Sequence, residues 1–176
     1  LNPRKKKKEM SKWIDRTEIA KHREISKNVR EDKINPYIED AQRLDLKPLL
    51  GERLYNAIDR DLPSHTLLLE GGEYTHNGET YDHPGLKKVL SIFTYARYIM
   101  FGSYTDTAFG FVEKSNQDSK PVADSHKRTL YTQNQQTATA YFQEVVTYMN
   151  RKEYALWKTS GCSPRRFGGF RISKIS

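Results

Sequence analysis

Between residues 34 and 58 apolar side chains recur every three to four positions. Ile34, Ile38, Ala41 and Leu44 form one stripe, and Leu46, Leu49, Leu50, Leu54 and Ile58 form another beyond a break at Asp45 and Pro48. That spacing turns one face of a helix toward a core. It predicts a helix with Pro36 in its first turn, where a missing N–H is harmless, and a further helix opened by Pro48. Gly51 falls inside the latter at a cost of about 1 kcal/mol relative to Ala, which points to close packing there. Upstream, Thr17-Glu18-Ile19-Ala20 offers an N-cap with an acid in the first turn, and Asn28 to Asp32 supply polar punctuation before the next helix.

The pattern changes after residue 62. Glu73-Tyr74-Thr75-His76 and Glu79-Thr80-Tyr81 flank Asn77-Gly78, two residues that both accept positive φ, so a small β-hairpin is predicted over about 73–81. Residues 84–101 carry Leu86, Val89, Leu90, Phe93, Ala96, Tyr98 and Ile99 with few polar interruptions, the mark of a central core helix that Gly102 stops. Residues 103–124 lose the helical period and contain Gly110 and Pro121, which predicts a long loop with Phe109, Phe111 and Val112 in extended backbone. Loops of this length usually serve function or an interface. A long helix is predicted from Asp124 to Met149 and a short one over 152–158, after which Ser160-Gly161-Cys162-Ser163-Pro164 breaks the chain into an extended arm. The fold class is therefore mainly α: a helical bundle with a small β-hairpin, a long interface loop and extended terminal arms. The predicted divisions are a basic N-terminal arm over 1–16, a helical body over 17–160 and a basic, aromatic C-terminal arm over 161–176.

Charge sharpens this division. The chain of 176 residues holds 30 Lys and Arg against 22 Asp and Glu, a net charge of +8. Residues 1–33 contribute +6, residues 34–160 contribute −2, and residues 161–176 contribute +4. The excess sits at the ends, in Arg4, Lys5, Lys6, Lys7 and Lys8 and in the arginines of the C-terminal arm. Such tails serve equally as nucleic-acid contacts and as arms that dock on acidic protein surfaces. Mean hydropathy is −0.85, and no run approaches the roughly 18 apolar residues of a membrane span. The first residues are charged with no apolar segment behind them, so no secretory signal is expected. Length suits one compact body with tails.

Candidate chemistry is sparse. His22, His65, His76, His83 and His126 show no i, i+4 pair that would set two ligands on one helical face. His76, Asp82 and His83 cluster near the hairpin and read as its polar rim rather than as a metal site, although a small metal-dependent hydrolase would use these histidines. Asp59 and Asp61 are close in sequence, a spacing equally at home on a solvated helix end. Cys162 stands alone, which excludes an intramolecular disulfide, and nothing beside it marks an activated thiol. Gly71-Gly72 and Gly168-Gly169 lie in no phosphate-cradling motif. No catalytic residue, cofactor or metal is predicted. In Arg165-Arg166-Phe167-Gly168-Gly169-Phe170-Arg171 the rings alternate with cations as in single-strand nucleic-acid segments. The same alternation suits insertion of Phe167, Phe170 and Ile172 into a partner's groove while Arg165, Arg166 and Arg171 pair with acids on its rim.

Two stretches carry a resemblance. Ile34-Asn35-Pro36-Tyr37-Ile38-Glu39-Asp40-Ala41-Gln42, with Asp45-Leu46-Lys47-Pro48-Leu49-Leu50-Gly51 and Leu54-Tyr55, resembles the opening helices of the head-to-tail connector, or adaptor, proteins of tailed phages infecting Bacteroidetes, the crAss-like group included. Asn77-Gly78-Glu79-Thr80-Tyr81 with His83, Gly85-Leu86-Lys87 and Tyr95-Ala96-Arg97-Tyr98 is similar to the same family. The resemblance spans about residues 17 to 101, with a weaker match of the helix after Asp124. It implies a non-enzymatic virion subunit, assembled in the bacterial host cytoplasm into a homo-oligomeric ring beneath the portal. Twelve-fold symmetry is the family expectation, and genomic DNA would pass the channel without specific contacts. The implied partners are the portal protein and downstream tail or ring proteins, and no membrane is implied. Portal or partner docking would fall to Trp157 and the C-terminal Arg165, Arg166, Phe167, Phe170, Arg171 and Ile172. Phe109, Phe111 and Val112, apolar side chains on a long loop, are expected to contact a neighbouring subunit or the next ring, the alternative being that they fold back onto the helix over 84–101. The basic N-terminal run and the arginine-rich C-terminus both depart from the family's simple pattern, which leaves open which tail docks.

Overall fold

A computed structural model describes residues 11–107, 110–113 and 122–158. The first helix, α1 (Arg16–His22), is capped by Asp15, whose carboxylate accepts the Glu18 N–H at 2.8 Å and the Thr17 hydroxyl at 2.6 Å. These bonds hold the Asp15 carboxyl below its usual range. The cap thus lies two residues before Thr17, because Asp15 reaches the third N–H of the helix and satisfies it. Trp13 and Ile14 are buried in the core, so residues 11–16 belong to the body rather than to the N-terminal arm.

Helix α2 (Glu31–Asp40) starts where the Arg30 carbonyl accepts from the Lys33 and Ile34 N–H groups. Pro36 therefore lies in the second turn, not the first, and its missing N–H removes the bond that the Asp32 carbonyl would have accepted. Both residues are exposed, so water replaces that donor. The chain then winds into a π-helix, Ala41–Leu46, and runs directly into α3 (Lys47–Leu50). The wider turn moves the buried positions to Ala41, Gln42 and Leu46, and Leu44, predicted on the core stripe, is left 59% exposed. Gly51 lies outside any helix: with φ +76° it separates α3 from α4 (Glu52–Arg60), a conformation that glycine adopts without strain. Leu54 and Ile58 of α4 reach the core as predicted, and Tyr55 joins them.

A 3₁₀ turn, Pro63–His65, leads to α5 (Thr66–Glu70), to which the sequence pattern gave no assignment. The hairpin follows as β1 (Gly72–His76) and β2 (Glu79–His83), antiparallel, with Tyr74 opposite Tyr81 and His76 opposite Glu79. Asn77 and Gly78 both have positive φ, 53° and 83°, as a two-residue turn matched to strand twist requires. Gly71 and Gly85 face each other where the chain enters and leaves the hairpin. A Cβ on Gly71 would stand 2.5 Å from the His83 carbonyl oxygen.

Helix α6 (Gly85–Phe101) is the centre of the body. Leu86, Val89, Leu90, Ile92, Phe93 and Ala96 are buried, and α1, α2, α5, the π-helix and α7 all pack on it. Gly102 ends it as predicted, its N–H bonded to the Tyr98 carbonyl at 2.7 Å. The predicted loop is in part a second antiparallel hairpin, β3 (Tyr104–Thr107) with β4 (Gly110–Glu113). Phe111 and Val112 have the extended backbone expected of them, paired with Asp106 and Thr105. Phe109 lies outside the described residues.

Helix α7 (Asp124–Arg151) runs beside α6 and buries Ala138, Phe142, Val145, Tyr148 and Met149. It closes with a Schellman motif: Tyr154 N–H bonds the Met149 carbonyl at 2.9 Å and Glu153 N–H the Asn150 carbonyl at 3.2 Å, with Glu153 at φ 51°. That turn shortens the predicted final helix to α8 (Ala155–Lys158). The molecule is mainly α with small hairpins, in agreement with the sequence pattern. Among the described residues, no helix is long and apolar enough to cross a membrane.

Candidate functional site

Asp59, Asp61 and His83, three of the polar residues considered for chemistry, are engaged in holding the fold. Asp59 on α4 accepts from the Trp13 indole N–H at 3.3 Å and from the Ser11 hydroxyl. Trp13 stacks on Tyr55 with ring centroids 5.1 Å apart. The buried Gln42 joins this cluster, its amide NH₂ donating to the Ser11 carbonyl at 3.0 Å and to the Tyr55 hydroxyl at 3.1 Å. Asp61 accepts the Ser64 hydroxyl and N–H, and these bonds lower its pKa. The two aspartates therefore serve separate local structures.

His76 and His83 stand at opposite ends of the hairpin ladder, one paired with Glu79 and the other with Gly72. His83 is 2% exposed and stacks flat on Tyr148, ring centroids 3.9 Å apart, with Tyr74 edge-on to both. Neither of its ring nitrogens has a hydrogen-bond partner among the described residues. Burial pushes its pKa down, Asp82 opposing in part, so the ring is held neutral as an aromatic spacer between hairpin and helix. Arg151 completes that junction, its guanidinium 3.9 Å from the centre of the Tyr81 ring and donating to the Tyr74 hydroxyl at 3.0 Å. Among the described residues, no group of three or more His, Cys, Asp or Glu could hold a metal ion.

The residues predicted to meet partners fall differently. Trp157 turns back on its own fold, donating its indole N–H to the Asn150 side chain at 2.9 Å and meeting Phe142 edge-on at 6.4 Å. Arg4, Lys5, Lys6, Lys7 and Lys8, and Arg165, Arg166, Phe167, Phe170, Arg171 and Ile172, lie outside the described residues.

A surface that the sequence reading missed sits at the C-terminal end of α6. Arg97 donates to both carboxylate oxygens of Asp45, at 2.7 and 2.9 Å, and this pair raises the Arg97 pKa further. Phe101, one helical turn beyond Arg97, is 47% exposed, and Leu44, next to Asp45, is pushed outward by the π-helix. The start of α7 reaches the same end, since Lys127 donates to the Ser103 hydroxyl at 3.0 Å and pairs with Asp124 at 3.4 Å; Val122 just before it is 49% exposed. Leu44, Phe101 and Val122 are thus three exposed apolar side chains near in sequence to these ion pairs. Composition held a signal for only part of this: Leu44 belongs to the core stripe unless a π turn shifts the phase.

This geometry defines a mainly helical, hairpin-bearing protein. Residues 46–166, more than two thirds of the chain, match the model described as "Family of unknown function (DUF6712)", and the chain belongs to that family. No curated protein and no solved structure matches it.

Proposed function

We propose that this chain is a structural ring protein of a phage neck, joining the portal to the tail and continuing the DNA channel. The observation that supports the reading is a mainly α body that leaves large apolar side chains exposed at Leu44, Leu67, Phe101 and Val122. The resemblance to phage connectors adds the setting, and the residues that carry it fold as one continuous run from α2 through α6. On this reading the subunits form a homo-oligomeric, twelve-fold ring without enzymatic activity. The C-terminal arm docks on the portal, the other face meets later tail or ring proteins, and DNA passes without specific contacts.

Deleting residues 163–176 is expected to leave helical circular dichroism largely intact and to abolish attachment to the upstream ring in assembled particles. Normal incorporation of the truncated subunit would overturn the assignment. The positive charge at both chain ends favours a second reading, in which the arms hold nucleic acid. Alanine at Arg165, Arg166 and Arg171 would then weaken DNA binding and flatten its salt dependence, because each lost phosphate contact releases fewer counterions. In a protein groove, alanine at Phe167, Phe170 and Ile172 has the larger effect instead.

A further inference from the structure

Between Arg128 and Glu144 the chain has fifteen consecutive residues without a charge, in a protein with 30% charged residues. They form the middle of α7. At 100° per residue, Thr129, Thr132, Gln136, Thr139, Ala140 and Gln143 share the side turned away from α6, and all six are exposed. The same line continues through the exposed Ser125 and Thr147, a length of about 33 Å at 1.5 Å per residue. Arg128 and Glu144 stand to either side of it. The outer faces of α2 and α4, by contrast, carry Glu31, Asp32, Lys33, Glu39, Asp40, Glu52, Arg53 and Arg60.

Solvation alone does not account for this face. Threonine is a poorer helix former than the Lys, Glu or Arg that an exposed helix ordinarily uses. The threonines are also spent inward: the hydroxyls of Thr129, Thr132 and Thr139 donate to the carbonyls of Ser125, Arg128 and Gln135 at 3.0, 3.0 and 2.8 Å. Their hydroxyls satisfied by their own helix, they contribute methyl groups to a surface of low relief beside Ala140. The rows 132-136-140 and 135-139-143 border a shallow, open depression on this face, and rows four residues apart are the ridges between which a ridge of another helix packs. The side-chain amides of Gln136 and Gln143 are engaged by no described residue and remain available to cross-link such a contact.

We propose that the outward face of α7 is a contact between copies of this chain. Charge selects the occupant. A nucleic acid or an acidic protein gains most from lysine and arginine, which this face lacks. Two copies at +8 repel each other, and the faces through which they can meet are those that bring no further like charge together. A contact of about 33 by 10 Å covers less than half of the roughly 800 Å² per partner in a standard interface. The face is therefore one part of the subunit contact. This deepens the ring reading and takes its biological setting from it, but its test is separate.

Sedimentation velocity and native mass of the full chain, at its highest soluble concentration, test it. The double variant Thr132→Glu, Thr139→Glu adds good helix formers and lowers the net charge to +6, which by itself favours association. It is expected to keep its helical circular dichroism and to associate at least tenfold more weakly than the parent chain. Association of the double variant equal to the parent, or a parent that is monomeric at every concentration, overturns the inference. As a second measurement, Thr139→Cys in a Cys162→Ser background is expected to lose thiol reactivity as concentration rises, and an unchanged reactivity counts equally against it. The ring reading fails separately: an α7-dependent simple dimer sinks the ring and keeps the contact, while a closed ring indifferent to the glutamates keeps the ring and sinks the contact.

Discussion

Helices α6 and α7 lie side by side and obey different rules. In α6, seventeen residues long, the buried positions wrap almost the whole circumference, because five other elements pack around it. In α7, twenty-eight residues long, burial is confined to one side and concentrated after Ala138, leaving the earlier turns with Lys127 as their one buried residue. A helix surrounded on all sides is read from its composition, and one that packs on a single side from its period. In α6 nearly every side chain is committed to the fold, whereas α7 keeps a long exposed face.

The largest expected effect breaks the comparison at its centre. Phe93→Ala in α6 should cost about 3–5 kcal/mol in urea unfolding, since a fully buried ring leaves a cavity among packed neighbours. Gln136→Ala on the outer face of α7 should stay within about 0.5 kcal/mol in the dilute monomer. Comparable losses at the two positions would mean that α7 is enclosed as α6 is.

A smaller effect concerns the Arg97–Asp45 ion pair that joins α6 to the π-helix. The side chains of Arg97 and Asp45 are 14% and 12% exposed, so removing the carboxylate leaves a cation with little access to water. Asp45→Ala should cost about 2 kcal/mol, the scale of hydrogen bonds to charged groups, and Asp45→Asn should recover part of it. Chemical denaturation of the three proteins checks the order.

The smallest effect is a pH slope at the inner face of α7, where His83 lies on Tyr148. Its pKa is lowered in the fold by burial, so the unfolded chain binds the proton more readily. The stability from the neutral ring is complete above the ordinary histidine range near 6.5 and declines as pH falls from there toward the folded value. His22 is shifted in the same direction by burial, with Glu18 opposing, and contributes a slope of the same sign. Thermal unfolding between pH 8 and pH 5 should therefore show a shallower loss for His83→Phe than for the parent chain. Equal slopes would remove His83 from the account.

Where local chemistry decided the backbone, the sequence was a good guide. Asn77-Gly78 set the first hairpin, and the apolar run after Pro84 set α6. The failures have physical causes. Leu44 followed a 3.6-residue period through a segment that winds more widely, so its side chain emerged on the wrong side. Gly51 was weighed as a cost within a helix when its positive φ is the reason that the helix stops. The β3–β4 hairpin has no Asn-Gly between its strands and so left no turn signal. The pairs at the end of α6 were least legible, because Arg97 meets Asp45 and Lys127 meets Ser103 only through tertiary packing. The outer face of α7 was written plainly in the sequence, but a charge-free stretch carries meaning only after the fold shows which side it presents.

The two-glycine joint at Gly71 and Gly85 has a consequence for how this chain can change. The hairpin enters and leaves the body at one point, so the thirteen residues from 72 to 84 form a lobe hung on a single joint, its lower half secured to α7 by Tyr74, Tyr148 and Arg151. Open space surrounds Gly78 at its tip. Length added or exchanged there leaves the spacing between α5 and α6 untouched, which makes the tip a modular position where new recognition can be grafted while the helices keep their register.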